Sequence, residues 1–416
     1  DATKLTGDLP AISGASLTGL VPTTLTATSN IGLGANAVDS ITTGDYNVGI
    51  GDDALTSNTE GSSNVALGGL SLDANTTGAQ NVGVGKSTLG ANTTGGQNTA
   101  LGHSALVTNT TASSNTAVGF ESMRYNTTGA DNVAVGKDAL KANTIAQYNT
   151  AVGRSAMIAT TTGNQNTAVG ALSLDANTTG AANVAMGVGA LGSNTTASNN
   201  TALGYATLNL NTTGTQNAAV GYLALSANTT ANGNTAVGYQ ALKSNTTASE
   251  NTAMGREALF TNTTGVDNVA VGSAALYSNT TAVHNTAVGR SALINNSTGV
   301  RNTAVGFETL RANTTGSDNV AIGYEALESV TTGTHNIGIG HRTGDYNNTV
   351  TTGNFNILIG GYCHTNSVSA GRQIVMGDSA IGSADNSLTI GNGGQDSNII
   401  MGQTSWTAPS DIRLKE

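Results

Sequence analysis

Apolar and polar residues repeat along the chain with a period of 17 residues. Asn recurs at this interval from Asn30 to Asn336, which makes 19 copies without insertion or deletion. The consensus is N-T-A-V-G-x-x-A-L-x-x-N-T-T-G-x-x, with the first Asn as position 1. Position 4 is always Val, Ile, Leu or Met, and position 9 is apolar except in the last copy, which has Gly344. We predict that positions 4 and 9 fill the interior of each coil.

The two halves of a copy predict different elements. Positions 1–5 carry β-branched residues at positions 2 and 4 in most copies, as in N-T-A-V-G, which indicates a β-strand. Positions 7–12 carry A-L-x-x-N, a pattern that fits either a second strand or a single helical turn. We favour a second strand. Because 17 residues bury too little to fold alone, the copies must stack on one another, and the predicted fold class is an all-β parallel β-solenoid.

Small residues at positions 3 and 8 lie next to the large apolar positions. Position 3 is always Ala or Gly, and position 8 is mostly Ala. Neighbours in a strand point to opposite faces, so position 3 lies opposite position 4. We interpret this small face, which includes Ala151 and Ala236, as the contact between chains of a homotrimer. The alternative is a tightly wound single chain with small residues at its corners.

The invariant residues predict the corners of the coil. Position 5 is Gly in all 19 copies, which indicates a positive φ or a very close backbone approach. Asn at positions 1 and 12 would stack from coil to coil and hydrogen-bond through the side-chain amides. The structural residues that these two patterns single out are exemplified by Asn47, Gly51, Asn115, Gly119, Asn234 and Gly238.

The amino-acid composition and the absence of known motifs argue against several classes of function. The chain of 416 residues has 55 Gly, 10% charged residues and a net charge of −10. Its 15 Lys and Arg are scattered, so we expect no nucleic-acid partner. No apolar run is long enough for a transmembrane helix, so we expect no membrane insertion. No hydrolase, metalloprotease or phosphate-binding motif is present. We expect no cofactor and no metal, because nothing fixes the spacing of His335, His341, Cys363 and His364 for ligation.

The repeat ends after Gly340. Further strands are predicted to begin at Asn356, Gln373, Ser387 and Asn398, with spacings of 20, 17, 14 and 11 residues counted from Asn336. Coils of changing length indicate a taper or a tip. The predicted domains are a connector at 1–29, a solenoid shaft at 30–343, an irregular tapering region or tip at 344–409, and the start of a further domain at 410–416.

Two short segments and the repeat itself resemble known fibrous proteins. The segment LPAISGASLTGL at 9–20 resembles segments that precede the shafts of phage tail fibres. The final SDIRLKE resembles the start of the self-cleaving intramolecular chaperone of endosialidase-type tail spikes and fibres. In that family a Ser–Lys pair cleaves the precursor, which implies this role for Ser410 and Lys415, in a precursor only. The N-x-A-x-G strand is similar to that of trimeric autotransporter adhesin heads.

These resemblances imply a structural fibre that attaches to a host surface, most simply a phage tail fibre, and not an enzyme in this form. Its expected partners are two further copies of itself and a host cell-surface glycan or protein, at a virion tail or a cell surface. The alternatives are an autotransporter-like adhesin, an ice-binding solenoid and a polysaccharide depolymerase spike. Positions 6, 7, 10 and 11, as in Tyr239, Gln240, Lys243 and Ser244, form a rival binding surface on the shaft. The residues expected to bind the receptor at the tip are Tyr346, Phe355, Tyr362, His364 and Trp406.

Overall fold

The computed structural model describes residues 29–345, 350–393 and 395–400, and these residues form a parallel β-solenoid with one short strand per coil. Contacts divide the chain into two compact units, and the division falls between Ser198 and Asn199, inside the repeat. The described residues contain no helix, and hence none that is long and apolar enough to cross a membrane. The predicted fold class is confirmed, and each unit is described separately below.

The first unit contains ten strands of three residues each. They are β1 Ile31–Leu33, β2 Val48–Ile50, β3 Val65–Leu67, β4 Val82–Val84, β5 Thr99–Leu101, β6 Thr116–Val118, β7 Val133–Val135, β8 Thr150–Val152, β9 Thr167–Val169 and β10 Val184–Met186. Each strand pairs in parallel with the next, and the register moves by one coil, as in Thr116 opposite Val133. Positions 2–4 of the repeat therefore stack directly above one another.

The second unit contains the remaining strands. They are β11 Thr201–Leu203, β12 Ala218–Val220, β13 Thr235–Val237, β14 Thr252–Met254, β15 Val269–Val271, β16 Thr286–Val288, β17 Thr303–Val305, β18 Val320–Ile322, β19 Ile337–Ile339, β20 Ile357–Ile359, β21 Ile374–Met376, β22 Ser387–Ile390 and β23 Ser397–Ile400. Parallel pairing continues to β22 through the coils of changed length. The last strand, β23, pairs antiparallel with β22 and so ends the parallel stack.

The faces of the strand are the reverse of those predicted from the sequence. Ala at position 3 is fully buried within the single chain, as at Ala151 and Ala236, whereas position 4 is half exposed. The interior is narrow because Leu at position 9 reaches into it from the opposite limb. A Cβ on Gly338 at position 3 would lie 2.5 Å from Cγ of Leu327 at position 9. The prediction that position 4 is interior, and that Ala151 and Ala236 contact another chain, is therefore wrong.

The second limb is neither a strand nor a helical turn, so the prediction of a second strand is also wrong. It is a series of turns in which positions 7 and 9 both have positive φ, as in Asp53 (φ 59°) and Leu55 (φ 56°). The backbone still bonds to both neighbouring coils. Asp53 N–H donates to the carbonyl of Ala35 in the preceding coil (2.8 Å), and Leu55 N–H donates to that of Ser71 in the following coil (3.1 Å). We name positions 7–11 the turn limb and positions 2–4 the strand limb.

Gly at position 5 forms the corner between the two limbs. Gly119 has φ 133°, a value that L-residues with a side chain rarely adopt. A Cβ there would lie 2.6 Å from the carbonyl oxygen of Gly136, the same position of the next coil. Both reasons that the sequence offered for this glycine, a positive φ and a close backbone approach, apply at once.

Asparagine side chains form the opposite corner. Asn64 at position 1 donates its amide to Oδ1 of Asn47 in the preceding coil (3.1 Å) and to the carbonyl of Gly78 in its own coil (2.9 Å). Asn75 at position 12 donates to the same Gly78 carbonyl (2.9 Å) and to Oδ1 of Asn58 (2.7 Å). These asparagines are fully buried. Two amide ladders therefore replace an apolar core on this side of the coil.

Candidate functional surfaces

The outer face of the strand limb is an apolar surface. Positions 2 and 4 carry Val, Ile, Leu, Met, Thr or Ala in β1–β22, and none of them carries a charged residue. Their side chains are partly exposed, with Leu101 at 46% in the first unit and Met254 at 43% in the second. We call this surface the outer sheet face. Sequence reasoning missed it because it placed position 4 in the interior.

A row of aromatic and cationic side chains runs along position 6. In the second unit Tyr222 stacks between Tyr205 and Tyr239, with ring centroids 5.4 Å apart on both sides. Tyr324 stacks in the same way between Phe307 (5.2 Å) and His341 (5.1 Å). The 17-residue spacing of these aromatics is visible in the sequence, and it places each ring directly on the next.

Position 10 carries a second row of functional side chains. Phe260 stacks on Tyr277 with ring centroids 5.0 Å apart, and Nζ of Lys243 lies 5.3 Å from the Phe260 centroid. Arg311, also at position 10, pairs with Glu328 of the next coil at 2.8 Å and with Glu308 at 3.7 Å. Cations of this row therefore hold aromatic rings or carboxylates of the turn limb.

A shallow groove of about 410 Å³ lies in the second unit between neighbouring coils of the turn limb. Leu210 and Leu223 form its apolar lining, and Lys243 and Ser244 add polar groups. Two of the four residues that exemplified the rival shaft surface therefore line this groove, while Tyr239 belongs to the stacked row at position 6. The groove lining contains no carboxylate.

The predicted tip residues fall into separate environments. Phe355 is 49% exposed, stacks on His335 (4.7 Å) and lies under the guanidinium of Arg372 (5.7 Å). Tyr362 contacts the ring of His341 at 4.9 Å. His364 is buried, and its Nδ1 lies 2.8 Å from the carbonyl of Thr365. Recognition by these three residues stays a prediction. The other predicted site residues, Tyr346, Trp406, Ser410 and Lys415, lie outside the described residues.

Four residues that a metal site would need have other partners. His335 and His341 stack on aromatic rings, and His364 is buried beside Thr365. Cys363 is buried, and burial raises the pKa of its thiol to about 11. A thiol with this pKa is a poor nucleophile at neutral pH because it stays protonated.

One acidic cluster forms among the described residues at the end of the turn-limb rows. Carboxylate oxygens of Glu325, Glu328 and Asp345 lie within 4.8 Å of one another. Burial raises the pKa of Asp345 to about 6, with a smaller contribution from Glu328, while Ser329 donates a hydrogen bond to it. Arg342 pairs with Glu325 at 2.8 Å and Arg311 pairs with Glu328, so two of the three carboxylates already have cationic partners.

Comparison with protein-family models finds no match for the chain, and comparison with curated proteins finds none either. Function is therefore inferred from the surfaces of the coil itself.

Proposed function

We propose that the chain is the shaft of a homotrimeric fibre that displays receptor-binding surfaces at a virion tail or a cell surface. The observation that carries this proposal is the outer sheet face. A solenoid of short coils has one periodic sheet, and here that sheet presents aliphatic side chains outward in every coil of each unit. A protein that remained a single chain in water would place charged or polar side chains there.

The size of the outer sheet face supports a protein partner. At roughly 60 Å² of exposed area for each half-exposed side chain, the face amounts to on the order of 1,000 Å² in each unit, above the ~300–600 Å² of the largest patch on a typical monomer. A standard interface buries about 800 Å² per partner. Charged residues are 10% of the chain, yet none lies at these positions.

The partner that fits this face best is a second copy of the chain. Apolar side chains recur on it at each strand, roughly every 4.8 Å along the coil axis. Only a surface with the same repeat distance can make the same contact at each of many coils. Three parallel copies about one threefold axis, the arrangement that the resemblance to phage fibres and adhesin heads implies, would bring three narrow strand limbs together and leave the three turn limbs outside.

The structure does not favour two of the alternatives. Ice binding required the Thr pair at positions 13 and 14 to lie on a flat sheet, but Thr246 and Thr247 lie in a bend, and the Thr246 hydroxyl donates to the carbonyl of Thr263 (3.2 Å). A depolymerase requires carboxylates in a cleft, and the groove in the second unit has none. Attachment by Phe355 and Tyr362 remains a proposal that rests on their place where the repeat ends, and precursor cleavage by Ser410 and Lys415 remains one that rests on the resemblance.

Assembly is tested by placing a charge on the outer sheet face. Met254→Lys puts an ammonium at position 4 of β14, and we expect it to reduce the trimer mass to that of a monomer in light scattering after size exclusion. Desolvating three ammonium groups near one axis costs several kcal/mol. The matched control is Thr264→Lys, which changes an exposed residue of the same coil that lies outside the strand limb.

The control variant should keep the mass of the unchanged protein, and both variants should keep its far-ultraviolet circular dichroism. A Met254→Lys protein that remains trimeric would exclude the outer sheet face as the interface. A monomeric unchanged protein would contradict assembly altogether.

A further inference from the structure

Five consecutive coils of the first unit carry only cationic or aromatic residues at position 6. We call them the cationic row: Lys86, His103, Phe120, Lys137 and Arg154. All five side chains are exposed. With one coil per ~4.8 Å, the row extends over roughly 19 Å parallel to the coil axis.

The middle of the row is held in place by stacking. The His103 ring stacks on Phe120 with centroids 5.5 Å apart, and Nζ of Lys137 lies 5.8 Å from the same ring centroid. Because His103 and Lys137 belong to the coils before and after Phe120, they cover opposite faces of its ring. Phe120 therefore positions two nitrogen-bearing groups and leaves neither of its own faces open.

The acidic neighbours of the row are bound elsewhere. Glu121 pairs with Arg124 and with Lys141 (2.6 Å), and Asp138 pairs with Lys141 at 3.0 Å. Lys137 lies 3.9 Å from Asp138, the outer limit of an ion pair. The cations at position 10 thus neutralise the carboxylates at position 7, and most of the charge at position 6 remains available to a ligand.

The five coils of the cationic row have a positive net charge, unlike the chain as a whole. Residues 81–165, which make up these five coils, contain five Lys and Arg against three Asp and Glu, whereas the whole chain has a net charge of −10. A basic strip on an acidic protein attracts polyanions to one place and repels them elsewhere.

The backbone beneath the row is rigid. The carbonyl of each of its five residues accepts a hydrogen bond from the next coil, as from Ser104 N–H to Lys86 (3.0 Å) and from Ser155 N–H to Lys137 (2.9 Å). A ligand that runs along the axis would therefore meet charges at fixed intervals, and little ordering would be needed on the protein side.

We propose that the cationic row binds a linear acidic polysaccharide, laid parallel to the coil axis, through its carboxylate or sulfate groups. Exposed charges spaced by one to three coils suit a chain with an anionic group on each sugar or on alternate sugars. A nucleic acid fits less well, because it carries more charge per length and its bases bind by stacking on open aromatic faces. Both faces of Phe120 are occupied.

The test measures binding of the unmodified full chain to four probes by calorimetry: polygalacturonate, dextran sulfate, neutral dextran and a single-stranded oligothymidylate. We expect one or both acidic polysaccharides to bind, more weakly as salt increases, and neutral dextran not to bind. Binding of polygalacturonate alone would identify carboxylates as the recognised group, and binding of dextran sulfate alone would identify sulfates. Failure of both, or tighter binding of the oligothymidylate, would overturn the proposal.

Variants locate the site. Lys137→Gln with Arg154→Gln should weaken binding about tenfold, since each exposed charge contact contributes up to about 1 kcal/mol. Arg301→Gln, which removes an exposed cation at position 17 of the second unit, is the matched control and should change affinity less than twofold. Unchanged affinity in the double variant would overturn the proposal. Assembly is measured in a separate experiment, by the mass of the same proteins. Failure of the polysaccharide proposal can therefore be distinguished from failure of the fibre proposal.

Discussion

The strand limb and the turn limb of a coil both bond to the coils above and below, but they do so with different backbones. In the strand limb, Val65 N–H donates to the carbonyl of Asn81 (2.8 Å) from an ordinary extended conformation. In the turn limb, Leu89 N–H donates to the carbonyl of Ala105 (3.1 Å) while Leu89 itself has φ 51°. A positive φ is unfavourable for a bulky residue and persists only where its surroundings enforce it.

This difference separates two roles. The strand limb buries only Ala or Gly in most coils and turns its larger aliphatic residues outward, so it is suited to contact with another chain. The turn limb buries Leu at position 9 and turns charged and aromatic residues outward at position 10, and the adjoining position 6 presents more of them, so this side of the coil is suited to solvent and ligands. The turn limb depends more on stacking, because its conformation is unfavourable in an isolated copy.

The corner between the limbs should be the most sensitive position. Gly119→Ala is expected to destabilise the first unit by more than about 4 kcal/mol, because it combines a strained φ with a clash against the next coil. Its Cβ would lie 2.6 Å from the Gly136 oxygen. Thermal unfolding, together with amide hydrogen exchange in coils near residue 119, measures the effect globally and locally.

The control for this prediction is Gly69→Ala at position 6 of the same unit. An added Cβ there would come no closer than 3.6 Å to a neighbouring atom, the carbonyl oxygen of Asp52, so the backbone accepts it. Equal loss of stability in the two variants would contradict the special role of the position 5 corner.

Matched leucine truncations compare the two limbs directly. Leu89→Ala removes a fully buried side chain of the turn limb, and Leu101→Ala removes one that is 46% exposed on the strand limb. We expect losses of about 2–5 kcal/mol for Leu89 and below about 1 kcal/mol for Leu101, when both are measured in dilute protein that does not assemble. Denaturant midpoints at a common slope provide the comparison.

The same pair sharpens the assignment of the outer sheet face. Under conditions of assembly, Leu101→Ala should weaken the oligomer, whereas Leu89→Ala should act mainly on the fold of each chain. A larger loss for Leu101 in dilute protein would reverse the assignment of inside and outside.

Much of the coil could be predicted from the sequence because stacking makes every constraint recur. The 17-residue interval predicted the coil, the invariant Gly119 position predicted a corner with positive φ, and the spaced asparagines predicted the amide ladders. The alternation of positions 3 and 4 also showed correctly that they face opposite sides. Alternation alone does not say which side is inside.

The errors came from assuming that the larger residue is buried. In a coil this narrow, Leu327 from the opposite limb fills the interior, so only a small residue fits at Gly338. The range of residue types at each position could have shown which side of the strand is interior. Position 3 accepts only Ala or Gly, while position 4 varies among four aliphatic residues. The turn limb could not be predicted, because positive φ at Leu55 is imposed by neighbouring coils and not by the propensity of leucine.

The smallest expected effect is a pH dependence confined to the turn limb, since the outer sheet face has no ionisable side chain in β1–β22. Burial raises the pKa of Asp345 from 3.8 to about 6. The folded state therefore binds this proton more tightly than the unfolded state, and the stabilisation is complete below about pH 4 and is lost as pH rises through 6. Because Asp345 is only partly buried, solvent screening limits the contribution to about 1 kcal/mol. Asp345→Asn cannot titrate, so the stability difference between this variant and the unchanged protein should itself vary between pH 4.5 and 7. Urea unfolding of both proteins at several pH values gives this difference in stability. The contributions of the other carboxyl groups cancel, because both proteins contain them. A constant difference across this range would show that Asp345 titrates alike in the folded and unfolded chain.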